Sequence, residues 1–241
     1  MKTLLSAITI SHVLAGIIAL FVGLVPMLAQ KGGRLHNRAG LVYVGCMITV
    51  ALTALLLCGL QPFRMTRLFL AGMAVLSFYL CASGWRATKH KNGHVPLPDR
   101  ALIYAAGLTG LAMVGFGIYL MAQHGVRFLP VVFTFFGFLL TRQATKDVWY
   151  MRHPTEPRHW FYQHITRMSG SYIATFTAAV VTNYDRYAPD TAPEWLSTLV
   201  WMAPALIGSL LISKTVARYK RKVGAKAPVQ VPSLPITTGV Q

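Results

Sequence analysis

The sequence is short of charged residues, and above all of acidic ones. Asp and Glu number 6 against 23 Lys and Arg, and charged residues make up only 12% of the 241 positions. A soluble domain carries roughly twice that charged fraction. Hydrophobic residues make up 54% and stand in long blocks. The scarcity of charge therefore argues against a soluble globular protein and favours a chain embedded in lipid.

Familiar catalytic and metal-binding motifs are also missing. The sequence has no H-E-x-x-H, no glycine-rich phosphate loop after a strand and no G-x-S-x-G, so hydrolysis and nucleotide chemistry have no support. The cysteines Cys46, Cys58 and Cys81 lie in apolar blocks without a C-x-x-C pair. We interpret them as small buried residues, and we predict no metal-ion site.

Long apolar blocks are what the sequence does contain. A helix needs about 20 mainly apolar residues to cross the roughly 30 Å hydrocarbon layer. Such blocks predict an all-α, polytopic membrane bundle over residues 1–222, followed by a disordered tail over 223–241. The fifth block is the shortest. The seven predicted spans are 4–29, 39–61, 67–87, 100–122, 126–146, 163–184 and 195–217.

The formal charge of +17 sets the predicted orientation. If the N-terminus lies outside and there are seven spans, most of the basic residues and the C-terminus fall on the cytoplasmic side, as the positive-inside rule requires. The charge is thus better explained by a bacterial cytoplasmic (inner) membrane than by nucleic acid, which we do not expect as a partner. The lipid bilayer is the predicted environment. A protein partner or a homo-oligomer stays open.

Three histidines are candidate cofactor ligands. His12 shares a helix face with Gly16, Ala19 and Gly23, and small residues allow close helix packing, so His12 is expected to point into the bundle. There it is either a functional residue or a neutral histidine bonded to a neighbouring Ser or backbone carbonyl. His36 and His164 are each expected near the cytoplasmic ends of their helices. Histidines on facing helices can hold a haem iron between them, and His36 with His164 could form such a pair on the inner side. The cofactor is left open, with haem b as one candidate. His12 and His124 would pair only if His124 dipped inward.

The sixth predicted span carries polar residues along one side, where an inward position makes them candidates for a ligand or proton path. The plainer alternative is hydrogen bonding between helices, worth less than about 2 kcal/mol each. At the cytoplasmic mouth, Asp147 is expected to stay ionised among cations, including Arg38. The remaining candidates are Arg167, Ser171, Thr175 and Asn183.

Several segments resemble an uncharacterised bacterial family of predicted multi-pass membrane proteins. The similarity lies in His12-x3-Gly16, in Lys31-Gly32 with His36 and Gly40, in the stretch from Arg167 to Asn183, and in Trp201-Met-Ala-Pro204 with Gly208. It covers most of residues 10–215. The resemblance implies an inner-membrane helical bundle with His12, His36, His164, Arg167 and Asn183 as marked positions, and it implies no activity. Asp147 lies in the middle region, where the similarity is generic.

Three functions fit these features. The leading hypothesis is a b-type haem electron-transfer protein, because histidines are placed near both membrane faces. A small-solute or proton-coupled transporter is an alternative, although the sequence lacks helices broken by Gly or Pro in both halves. A structural or assembly partner of a membrane complex is the third. Whether the protein is an enzyme is left undecided.

Overall fold

The computed structural model describes residues 1–91, 95–153, 158–189 and 191–224. Over these residues the chain is all helical, with seven long helices and one short one and no strand. The predicted tail lies almost wholly outside the described residues. The helices are α1 (Lys2–Val22), α2 (Leu24–Leu28), α3 (Arg34–Leu60), α4 (Met65–Ala87), α5 (Leu97–His124), α6 (Phe128–Arg152), α7 (His159–Tyr187) and α8 (Glu194–Gly224).

Six helical segments are long and apolar enough to cross a membrane: α1 with α2, then α3, α4, α5, α6 and α8, counted over the described residues. The predicted fifth span is among them, as α6, which has 25 residues. The predicted sixth span forms a 29-residue helix, α7, but it is not among the six. Its length would suffice for a crossing. It differs from the others in the polar side chains that it carries along one side.

The outward faces of the bundle are apolar. Leu14, Ile17 and Phe21 of α1 are about half exposed or more, and so are Leu210 and Leu211 of α8. A soluble monomer rarely exposes a contiguous apolar surface beyond a few hundred Å². This distribution, with the six apolar helices, makes the chain a multi-pass membrane protein with a lipid bilayer around it.

Helix α4 lies at the centre of the bundle, where it packs against α3, α5, α6 and α7. One buried cluster fills the space between α4, α5 and α6 and includes Phe69, Phe133 and Leu140. A second cluster joins α1, α3 and α4 through Ala19, Met47 and Cys81. Helix α7 packs against α1, α4 and α8. It contributes Met168 and Tyr172 to the second cluster and brings its polar side chains into the bundle.

Helices α5 and α6 form the closest pair. A Cβ atom built on Gly110 would lie 2.7 Å from the backbone nitrogen of Thr141, and one on Gly137 would lie 2.8 Å from that of Val114. Only glycine allows backbones to approach this closely, which is the packing mode of small residues between membrane helices. Close packing against α5 fixes the position of α6, the helix that carries Asp147.

Helix α7 runs the length of the bundle. At one end, His164 near its start contacts Gly84 near the end of α4. At the other end, Glu194 at the start of α8 accepts a hydrogen bond from the Phe128 backbone nitrogen at the start of α6. We call the end with His164 the basic end. Lysine ammonium groups there lie over aromatic rings, with Lys91 4.7 Å from the Trp160 ring and Lys89 5.9 Å from the Trp85 ring.

Candidate functional site

Two imidazoles face each other at the basic end of the bundle. The ring centroids of His36, on the first turn of α3, and His164, on the second turn of α7, are 6.2 Å apart, with the ring planes inclined by 64°. Both side chains are partly buried. Within the described residues, α3 and α7 meet through side chains rather than through their backbones. The structure thus brings these two histidines together at the basic end.

Each imidazole is fixed by one backbone carbonyl. His36 Nδ1 lies 3.0 Å from the Pro26 oxygen, and His164 Nδ1 lies 2.9 Å from the Gly84 oxygen. A carbonyl oxygen can only accept, so each Nδ1 carries the proton and donates it. In the neutral ring Nε2 then keeps its lone pair. Metal-ligating histidines have this arrangement, because the second hydrogen bond fixes the tautomer and the ring orientation.

Lys31 shares a carbonyl with His36. Its Nζ donates to the Pro26 oxygen at 2.8 Å and to the Met27 oxygen at 2.7 Å. These are carbonyls at the end of α2, where a cation is favoured by the helix dipole. Partial burial lowers the pKa of Lys31 below the usual lysine value.

A buried ion pair lies deeper in the bundle. Arg167, one turn beyond His164 on α7, donates through Nη2 to Asp147 Oδ1 of α6 at 2.7 Å, and both side chains are 4% exposed. Asp147 also accepts hydrogen bonds from the Tyr79 hydroxyl of α4 and from Gln163 Nε2, the latter at 3.2 Å. The carboxylate therefore has three donors, which is what a buried charge requires.

Arg167 is held on several sides. Its guanidinium carbon lies 4.9 Å from the centre of the Tyr79 ring, and Nη2 donates to the Gln143 carbonyl at 3.2 Å. Gly84 allows this approach, since a Cβ there would lie 2.8 Å from the Arg167 Cβ. The Nη1 atom is buried and has no acceptor among the described residues. The same glycine thus positions both Arg167 and, through its carbonyl, His164.

Hydroxyl groups continue the polar face of α7 inward. Ser171 lies 2.8 Å from the Tyr43 hydroxyl, and Thr175 lies 3.3 Å from the same hydroxyl. Both α7 residues are buried, at 0% and 8% exposure. Thr175 also donates to the Ser171 carbonyl. His164, Arg167, Ser171 and Thr175 thus form one polar face, which we call the α7 polar face.

His12 is separate from this site. Its Nδ1 lies 3.1 Å from the Val50 carbonyl and 2.9 Å from the Thr53 hydroxyl, so it contacts α3. Those residues are 14 and 17 positions beyond His36, which is roughly 20–25 Å along a helix. In the described chain α1 packs on α2, α3 and α7 and not on α5, so the pairing with His124 receives no support.

Two further predicted positions are not brought into the site. Asn183 is exposed and donates to the Ala179 carbonyl of its own helix. Arg38 is exposed on the first turns of α3. Among the predicted positions, the structure therefore groups His36 with His164, Asp147 with Arg167, and Ser171 with Thr175.

Sequence reasoning missed Tyr43, Tyr79 and Gln163, and it named Lys31 only within the Lys31-Gly32 motif, without a role at the site. The two tyrosines carry a signal that could have been used, because a tyrosine inside an apolar span generally finds a partner for its hydroxyl. Lys31 and Gln163 carry none, since their roles depend on how the ends of α2, α6 and α7 are placed. The carbonyls of Pro26 and Gly84 are equally invisible in a sequence.

Each neutral imidazole of the pair has one lone pair, on Nε2, that it can donate to a metal ion. The described residues contain no group of three or more His, Cys, Asp or Glu side chains suited to a metal ion. A bare ion would thus receive too few protein ligands at this pair, whereas a macrocycle brings its own four donors and needs only axial ones. Two metal–nitrogen bonds of about 2 Å, plus the distance from each nitrogen to its ring centre, give a centroid separation of about 6 Å. The observed separation is 6.2 Å.

Comparisons with protein-family models, with curated proteins and with solved structures find no match. The resemblance to an uncharacterised bacterial membrane family therefore stays a prediction. The fold and the side-chain geometry carry the functional argument.

Proposed function

We propose that this protein is a b-type haem electron-transfer protein of the bacterial inner membrane, in which His36 and His164 would hold the haem. The observation that supports this most directly is the pair of imidazoles 6.2 Å apart, each with Nδ1 bound to a backbone carbonyl.

Two backbone carbonyls would orient the imidazoles. The carbonyls of Pro26 and Gly84 fix the imidazole tautomers, and a hydrogen bond of this kind raises the donor strength of the ligating nitrogen. The bound haem would supply reversible one-electron chemistry at its iron, at a potential set by axial ligands, burial and nearby charge.

The experiment is an absorbance spectrum of the protein purified in mild detergent from haem-replete cells. We expect a Soret band and, on reduction, the sharp α-band of low-spin haem b. His36→Ala and His164→Ala should each lose the bound haem. His12→Ala is the matched control and should keep it, because His12 contacts α3 far from the pair. A colourless wild-type protein, or equal loss in all three variants, would refute the proposal.

We also propose seven crossings, with the N-terminus outside and the C-terminus in the cytoplasm. The support is that α7 joins the basic end of the bundle to the opposite end, since α8 starts beside the start of α6. Positive residues collect at the basic end, which the positive-inside rule assigns to the cytoplasm. The lysine–aromatic contacts there suit a membrane interface, where Trp and Tyr are enriched.

Proton-coupled transport is a second candidate, supported by the buried Asp147–Arg167 pair, because ionisable residues inside a membrane mark ion and proton paths. We rank it below the haem hypothesis because Asp147 already has three donors and is not free to receive a substrate. A colourless protein would favour this candidate.

A further inference from the structure

The Pro26 carbonyl oxygen accepts two hydrogen bonds of different kinds. The His36 Nδ1–H donates to it at 3.0 Å, and the Lys31 ammonium donates to it at 2.8 Å. A carbonyl oxygen has two lone pairs, so both donors fit. The consequence is that Lys31 and His36 interact through one oxygen although their side chains do not bond to each other.

We infer that Lys31 is a positioning residue that lowers the electron-donating strength of His36 and thereby raises the reduction potential of the haem proposed at the His36–His164 pair. This inference rests on the proposed function. Lys31 would act through the carbonyl and through its charge, without touching the iron.

The first route is competition at the oxygen. A hydrogen bond from a charged donor is roughly twice as strong as a neutral one, so the ammonium draws electron density from the Pro26 carbonyl. The oxygen is then a weaker acceptor for His36 Nδ1–H. Because the second-shell bond raises the basicity of a ligating imidazole, a weaker bond leaves His36 a poorer donor to ferric iron.

The second route is the charge itself. The Lys31 ammonium and the His36 imidazole bind the same Pro26 oxygen, so a positive charge lies close to one of the two proposed ligands. A nearby cation disfavours the oxidised, more positive form of an iron centre. Nearby charge and second-shell hydrogen bonds are both recognised determinants of haem potential. Both routes act in the same direction, so their removal should lower the potential.

The alternative role for Lys31 is purely structural. Its bonds to Pro26 and Met27 cap the carbonyl end of α2, which alone would stabilise the turn before α3. That role predicts lower stability in a variant but no systematic change of potential. The two roles are therefore separated by a potentiometric titration and not by stability or activity.

The test compares midpoint potentials of the purified full-length protein at neutral pH. Lys31→Met should shift the potential to a lower value. Lys31→Arg keeps the charge and should stay near the wild-type value. Lys89→Met removes a cation from the same end of the bundle, over the Trp85 ring, and should shift the potential much less than Lys31→Met.

The low-spin bis-histidine EPR signal must persist in each variant, so that a shift is not due to loss of His36. If Lys31→Met loses that signal, Lys31→Gln is measured in its place with the same expectation. An unchanged potential in the neutral variant, or a shift equal to that of Lys89→Met, overturns the role of Lys31. A wild-type protein without a Soret band overturns the proposed function first, and this inference with it, before any variant is needed.

Discussion

Loss of the Asp147 carboxylate should be the most destabilising single change in the polar region. Asp147→Ala would leave the Arg167 guanidinium buried without its counter-ion, and would also leave the Tyr79 hydroxyl and the Gln163 amide without an acceptor. Removing one partner of a buried ion pair costs about 3–5 kcal/mol. Both side chains are only 4% exposed, so the upper half of that range is expected.

A second ion pair in the same protein gives the matched control. Arg86 and Asp99 also pair, but their side chains are 33% and 16% exposed. Because this pair is partly open to solvent, it contributes about 1 kcal/mol, far less than a buried pair. Asp99→Ala should therefore lower the free energy of unfolding by a small fraction of the loss caused by Asp147→Ala, although Asp99 also has more than one partner, Arg86 and His90.

The assay is equilibrium unfolding in mixed detergent micelles, with the five tryptophans as the fluorescence signal. The double variant Asp147→Leu/Arg167→Met removes both charges together and should recover much of the lost stability, because replacing a whole buried ion pair with apolar residues is often neutral. The reasoning fails if Asp147→Ala is no worse than Asp99→Ala. It also fails if the double variant is as unstable as the single one.

Two further predictions concern helix packing and orientation. Gly110→Ala should destabilise the α5–α6 pair, since its Cβ would lie 2.7 Å from the Thr141 nitrogen. Gly115→Ala is the control: its Cβ has open space, so the variant should be neutral or more stable by up to about 1 kcal/mol. Equal stability of the two variants in the same unfolding assay would contradict the close packing. A reporter fused after Gln241 should be active only as a cytoplasmic fusion, and a periplasmic signal would overturn the proposed orientation.

Helix positions followed directly from hydrophobicity, because a membrane span must be long and apolar. The predicted spans at 39–61 and 67–87 correspond to α3 and α4 within a few residues at each end. The break within the first span was not predicted: the chain forms α1 and then α2, with Gly23 between them. Gly23 itself keeps right-handed helical backbone angles, so α1 and α2 still form one span over Lys2–Leu28. A Cβ on Gly23 would lie 2.7 Å from the Tyr172 ring, and this close approach of α7 was not predicted either.

Only part of the candidate site could be predicted from the sequence. His36 and His164 were predicted together because both begin helices that enter from the same side. Asp147 was named as a cytoplasmic-mouth candidate, but its partner Tyr79 was not. Their meeting depends on the packing of α4 against α6 and α7, and no local pattern encodes it. Lys31 could not be recognised either, because its importance arises from a carbonyl five residues earlier.

Helix α7 is long enough to cross a membrane but is not among the six helices that are apolar enough to do so. Average hydropathy counts every hydroxyl group as if it were exposed to lipid without a hydrogen-bond partner. In α7 the hydroxyls of Thr175, Thr177 and Thr182 each donate to the carbonyl four residues earlier, and Arg167 is neutralised by Asp147. Polar groups satisfied in this way cost far less in a membrane than free ones. A helix that carries the polar site can therefore cross as one of seven, provided that its neighbours α1, α4 and α8 shield that side from lipid, and these are the helices that pack against it.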